Sequence, residues 1–90
     1  MRDEIKRAAA QRLSRIEGQV RGIARMVEAD RYCIDVVNQL EAVKAALKKV
    51  EDQILADHVA HCVEGAIASG DAKDQRRKMA ELVELIGRMG

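Results

Sequence analysis

Apolar residues recur at intervals of three and four along most of the chain, the pattern of helices with one buried face. Within residues 3–29 the positions Leu13, Ile16, Val20, Ile23 and Val27 form a heptad-like stripe, which predicts a first helix. Gly18 and Gly22 lie inside it. Each costs roughly 1 kcal/mol against alanine, a cost that close approach of another helix would offset. Residues 28–30 read as a short connection. A second helix is predicted over residues 32–69, where Leu40, Val43, Leu47, Val50 and Ile54 repeat the spacing and no glycine intervenes before Gly65. At about 1.5 Å per residue it would be roughly 50 Å long, more than a compact monomer of this size covers. Ser69-Gly70-Asp71 is a stop-and-turn signal. A third helix is expected over residues 74–89, with Met79, Leu82, Val83 and Ile86 on its apolar face. The loops are short, so successive helices are expected to be antiparallel neighbours. The pattern predicts an all-α fold of three helices forming one domain, residues 1–90.

Composition sharpens this picture. The chain has 90 residues with no proline, one tyrosine, and neither phenylalanine nor tryptophan, so its helices must pack through small aliphatic side chains. So short a chain buries a modest share of its surface, which predicts an oligomer in which helices of several protomers share a core. No apolar run approaches the roughly 20 residues that span a bilayer. The opening segment MRDEIKR lacks an apolar signal core, so no export and a cytoplasmic location are expected. Two cysteines make no disulfide framework; they point to a reducing compartment and to thiol chemistry or metal binding.

The formal charge is only +1, yet it is unevenly placed. Residues 1–25 carry seven basic side chains (Arg2, Lys6, Arg7, Arg12, Arg15, Arg21, Arg25) against three acidic ones. Residues 50–72 carry five acidic side chains and no Lys or Arg. If the second helix packs alongside the first, Lys44, Lys48 and Lys49 extend the basic surface. Such a surface suits nucleic acid, although a charge run on a helix is more often simply a solvated face.

Cys33, His58 and Cys62 are the candidate chemistry. His58 and Cys62 are four residues apart, so one helix presents them on one face as a two-point metal clamp. Cys33 precedes His58 by 25 residues, about 38 Å along an unbroken helix. It can therefore join them only if a second chain packs its long helix antiparallel to the first. Thiolates select Cu(I) or Zn(II). Structural zinc prefers four ligands, whereas three soft donors suit Cu(I); zinc stays open if water or His61 completes the shell. The alternative is that both cysteines are small core residues and His58 a satisfied core histidine. No phosphate-binding glycine loop, HExxH or nucleophile triad is present, so an enzyme with a small-molecule substrate is not expected.

The run at residues 12–22, RLSRIEGQVRG, followed by Tyr32-Cys33 and by His58-x-x-x-Cys62, resembles the CsoR/RcnR family of bacterial metal-sensing repressors over nearly the whole chain. Within that family the Cys, His, Cys set is similar to the copper-sensing CsoR branch. The nickel and cobalt sensors carry a further histidine near the N-terminus and a histidine at the third position. The formaldehyde sensors lack the second cysteine, and the persulfide sensors lack the histidine. The resemblance implies a homotetramer built as a dimer of antiparallel helical dimers, with no helix-turn-helix. It implies an intersubunit Cu(I) site of Cys33, His58 and Cys62. Tyr32 and Glu81, or Glu84 one turn on, would link that site to the third helix. It further implies operator DNA as partner, contacted through Arg12 and Lys49; Arg15 and Arg21 are added from the charge pattern. The expected function is repression relieved by Cu(I) at copper-resistance genes, with adventitious zinc binding. A thiol- or persulfide-responsive repressor is one alternative. A structural helical assembly module is the other.

Overall fold

The computed structural model describes residues 1–89, except for the side chain at position 66. They form α1 (Asp3–Glu28), α2 (Cys33–Ser69) and α3 (Ala72–Arg88), with no strand among the described residues. The chain divides within α2 into two compact units, Met1–Leu55 and Ala56–Gly90.

In the first unit α1 starts without a side-chain cap, but Asp3 and Glu4 place negative charge on its first turn, where exposed N–H groups favour it. Its end is sharply defined. Asp30 adopts a left-handed conformation, φ 53°. The Asp30 N–H then donates to the Val27 carbonyl at 3.1 Å and the Arg31 N–H to that of Met26 at 3.0 Å. These bonds satisfy two carbonyls that the helix would otherwise leave open. Asparagine and aspartate tolerate this geometry better than other side chains, so Asp30 stands where glycine is usual. Tyr32 lies just outside α2 and its carbonyl accepts from the Val36 N–H at 3.2 Å.

The core of this unit is Ala9, Ile16 and Ile23 from α1 against Val43 and Val50 from α2, with Val36, Ala46 and Ile54 packed beside them. Ala9, Ile16 and Ile23 recur every seven residues, as do Val36, Val43 and Val50 and the positions between them. Leu13, Val20 and Val27 of α1, and Leu40 and Leu47 of α2, remain exposed. Only half of each expected stripe is therefore buried within the chain, because a pair of helices has room for one seam. Gly18 and Gly22 have no close neighbour on another helix within the chain. A Cβ at Gly18 would meet nothing within 4 Å, and one at Gly22 only the Arg25 guanidinium at 3.9 Å. Neither glycine marks a close helix contact within the chain.

The second unit joins the end of α2 to α3. Gly70 takes φ 63°, the left-handed turn that ends α2. Asp71 then caps α3, its carboxylate accepting from the Lys73 N–H at 2.9 Å. This cap starts α3 at Ala72, two residues before the expected start. Gly65 of α2 lies close to Lys78 of α3, since a Cβ there would sit 3.8 Å from its Nζ. Asp57, Cys62 and Leu82 are the buried side chains among the described residues of this unit.

Candidate metal centre and nucleic-acid interface

The three proposed metal ligands all lie on α2, in different environments. Cys33 is its first residue and its thiol is exposed and free. Cys33 is therefore not part of a core within the single chain. Cys62 is a free thiol too, but buried. His58, one turn before it, is exposed, so the pair shares a helix face without sharing a degree of burial. Cys33 lies in the first unit and His58 with Cys62 in the second. Among the described residues no three His, Cys, Asp or Glu side chains converge as a metal ion would require.

His61 is engaged elsewhere. Its Nε2 lies 3.6 Å from the carboxylate of Asp57 and its Nδ1 4.0 Å from that of Glu64, the two acids flanking it one turn away on either side. Asp57 is almost wholly buried, at 3% exposure. Sequence reasoning placed it only in an acidic stretch; its position one turn before His61 was the available signal. Tyr32 is two-thirds exposed beside Cys33. Glu81 and Glu84 are both exposed on α3, Glu81 immediately before the buried Leu82.

The basic residues sort into two kinds. Arg12, Arg15 and Lys49 line one groove between α1 and α2 of the first unit. Its volume is about 390 Å³ and its other walls are Ile16, Gln19, Ala42, Ala45 and Ala46. The alanines keep the floor low while the long polar side chains stand around it. None of Arg12, Arg15, Gln19 and Lys49 takes part in an ion pair or side-chain hydrogen bond among the described residues. The neighbouring cations are occupied. Arg21 pairs with Glu17 at 3.8 Å, Lys44 with Glu41 at 3.2 Å and Lys48 with Asp52 at 2.8 Å. The Lys48–Asp52 hydrogen bond, reinforced by the charge of Asp52, raises the Lys48 pKa above its ordinary value. Of the sequence-derived basic set, Arg12, Arg15 and Lys49 are brought together and Arg21 is not. Lys44 and Lys48 flank the surface without adding free charge. Gln19 is the groove residue that a search for charge passes over.

No helix among the described residues is long and apolar enough to cross a membrane. Comparison with known proteins gives a consistent result. The copper-sensing transcriptional repressor RicR of Mycobacterium tuberculosis is 50% identical over 80 residues, covering 89% of this chain and 82% of that protein. The copper-sensing transcriptional repressor CsoR of Bacillus subtilis is 53% identical over 74 residues, covering 82% and 70%. Among solved structures, CsoR with Cu(I) from Geobacillus thermodenitrificans superposes with TM-score 0.80 at 40% identity, covering 98% of this chain and 92% of that one. The nickel-responsive regulator InrS gives 0.77, also at 40% identity, covering 91% and 89%. The model of the metal-sensitive transcriptional repressor family matches residues 5–88, and the chain belongs to that family, one of repressors rather than enzymes.

Proposed function

We propose that this chain is a Cu(I)-responsive repressor whose apo form binds operator DNA and whose Cu(I)-bound form lets it go. The observation that carries the metal assignment is the donor set: an exposed thiol at the start of α2, and a histidine and a second thiol one turn apart near its other end. The relatives named as copper sensors support the same choice. Two thiols and one imidazole fit a soft ion of low coordination number, and bound Cu(I) supplies a centre that draws three such donors together. Cys33 of one protomer would meet His58 and Cys62 of its partner. Both thiols give up their protons on binding, so the site is proton-coupled. Tyr32 and Glu81, with Glu84 as the alternative acid, would carry the change to α3 by orienting the imidazole.

Self-association follows from the unburied half of each stripe. Leu13, Val20 and Val27 with Leu40 and Leu47 offer the seam that an antiparallel partner would cover. A dimer of dimers, acting in the cytosol where the thiols stay reduced, completes the reading. DNA is held by Arg12, Arg15 and Lys49 through phosphate contacts. Arg21 belongs to this surface only if it leaves Glu17. Ligand-linked release requires that the metal-bound tetramer fit DNA less well than the apo tetramer. A coupling of about 1–3 kcal/mol weakens DNA binding about 5- to 150-fold.

The test is anaerobic binding to duplex DNA from upstream of this chain's own coding sequence, with and without one Cu(I) per protomer. Release by Cu(I), abolished in His58→Ala although two thiols remain, is the expected result. Zn(II) and a persulfide donor serve as parallel arms. The exposed Cys33 thiol favours a second reading, thiol sensing through an intersubunit link to Cys62. Release by the persulfide donor alone, independent of His58, would establish that reading and refute the copper one.

A further inference from the structure

Gln19 is the one uncharged polar side chain lining the groove that Arg12, Arg15 and Lys49 surround. It is exposed, and no neighbouring side chain satisfies its amide among the described residues. Arg12, Arg15 and Gln19 are spaced three and four apart on α1, so they stand in a row on one face. The residues opposite, Ala42, Ala45 and Ala46, are too short to reach into the groove's mouth. Whatever the three cations grip is therefore held against Gln19.

We propose that Gln19 is a specificity-determining residue of the DNA-binding surface, its amide reading an adenine edge. The inference rests on the DNA-binding role assigned above to the same groove. Contacts from the three cations to phosphate would fix the backbone but carry no sequence information. A carboxamide differs from them in having a donor and an acceptor side by side. Its Nε2–H₂ donates to adenine N7 while its Oε1 accepts from adenine N6–H, a pairing the major groove offers at no other base. An arginine or lysine at this position would instead favour guanine, whose N7 and O6 both accept.

Selection from a randomised duplex library, followed by titration of the enriched and the bulk sequences, tests this with the full-length chain. The wild type is expected to enrich a motif containing adenine at a fixed position. Gln19→Ala should lose about 5- to 150-fold on the enriched sequence. It should lose nothing on bulk duplex and keep the same salt slope, because no charge is removed. Gln19→Glu should move the preference at that position towards cytosine, whose N4 amino group donates to a carboxylate. A Gln19→Ala loss that is equal on every sequence would make the residue a backbone contact and overturn the proposal. An unchanged motif in both variants would overturn it as well. The underlying groove assignment has its own readout: Arg12→Ala should weaken binding to all sequences and lower the salt slope. If Arg12→Ala binds normally, the groove is not the DNA surface and both readings fall. If it is impaired while Gln19 variants are indistinguishable from wild type, only the proposal for Gln19 falls.

Discussion

Six basic side chains near the α1–α2 groove differ mainly in whether an acid already holds them, and that difference has a measurable size. Consider two triple variants: Arg12→Gln, Arg15→Gln, Lys49→Gln, which empties the groove, and Arg21→Gln, Lys44→Gln, Lys48→Gln, which removes the paired cations around it. Both lose the same total charge, so a diffuse electrostatic effect would be alike in the two. Each cation that neutralises a DNA phosphate contributes about 0.9 to the steepness of log affinity against log salt. Three free cations account for about 2.7 of that slope per engaged groove, so a fourfold rise in salt costs about 40-fold in affinity through them. Arg21, Lys44 and Lys48 are already neutralised by Glu17, Glu41 and Asp52, at 3.8, 3.2 and 2.8 Å, and release few DNA counterions. Fluorescence anisotropy of a labelled duplex, titrated across a salt series, reads the slopes directly. The groove variant should be shallower than wild type by about 2.7 per groove and the flanking variant nearly unchanged. Equal losses of slope in the two would refute the distinction between free and paired cations.

Three further outcomes are expected. Asp71→Ala removes the carboxylate that accepts from the Lys73 N–H and should cost about 0.5–2 kcal/mol in thermal or urea unfolding; an unchanged midpoint would mean that α3 does not depend on its cap. Gly18→Ala, which meets no neighbour within the chain, should stabilise by up to about 1 kcal/mol; destabilisation would reveal a close contact made by another protomer at that point. The Asp74 carboxylate has its pKa held below the ordinary value, mainly by its hydrogen bond from Lys78 and also by Lys78's charge and Arg77. Its favourable contribution is thus present above the unfolded-state value of 3.8 and fades as pH falls through the lowered folded-state value. Asp74→Asn should be slightly less stable than wild type at neutral pH and equal to it in strong acid, and a gap that persists in acid would show that charge is not its origin.

Helix number and order were legible in the sequence because the three-and-four spacing is a property of the chain itself. The boundaries shifted where local hydrogen bonding decided them. Asp71 caps α3 and draws its start forward to Ala72. Asp30 ends α1 in a conformation that no hydrophobic pattern encodes. Burial was half legible: periodicity picks out Leu13 and Ile16 alike, but only geometry shows that Ile16 faces α2 and Leu13 does not. For the proposed metal ligands, the spacing of His58 and Cys62 marked a shared helix face. The contrast between a buried Cys62 and an exposed Cys33 was not written in their spacing. The groove was legible only as excess charge. Which cations are free depends on the acids one turn away, and Gln19 is uncharged.

Tyr32 is the sole aromatic side chain of the chain, lies mostly in solvent and is bonded directly to Cys33. The protein is consequently almost dark in the near ultraviolet, and whatever fluorescence it has comes from a single fluorophore. Quenching by a bound ion, by a thiolate or by a newly formed disulfide at Cys33 would change the entire emission rather than a fraction of it. The chain thus contains an optical probe beside its exposed thiol, with no competing emitter to subtract and no label to attach.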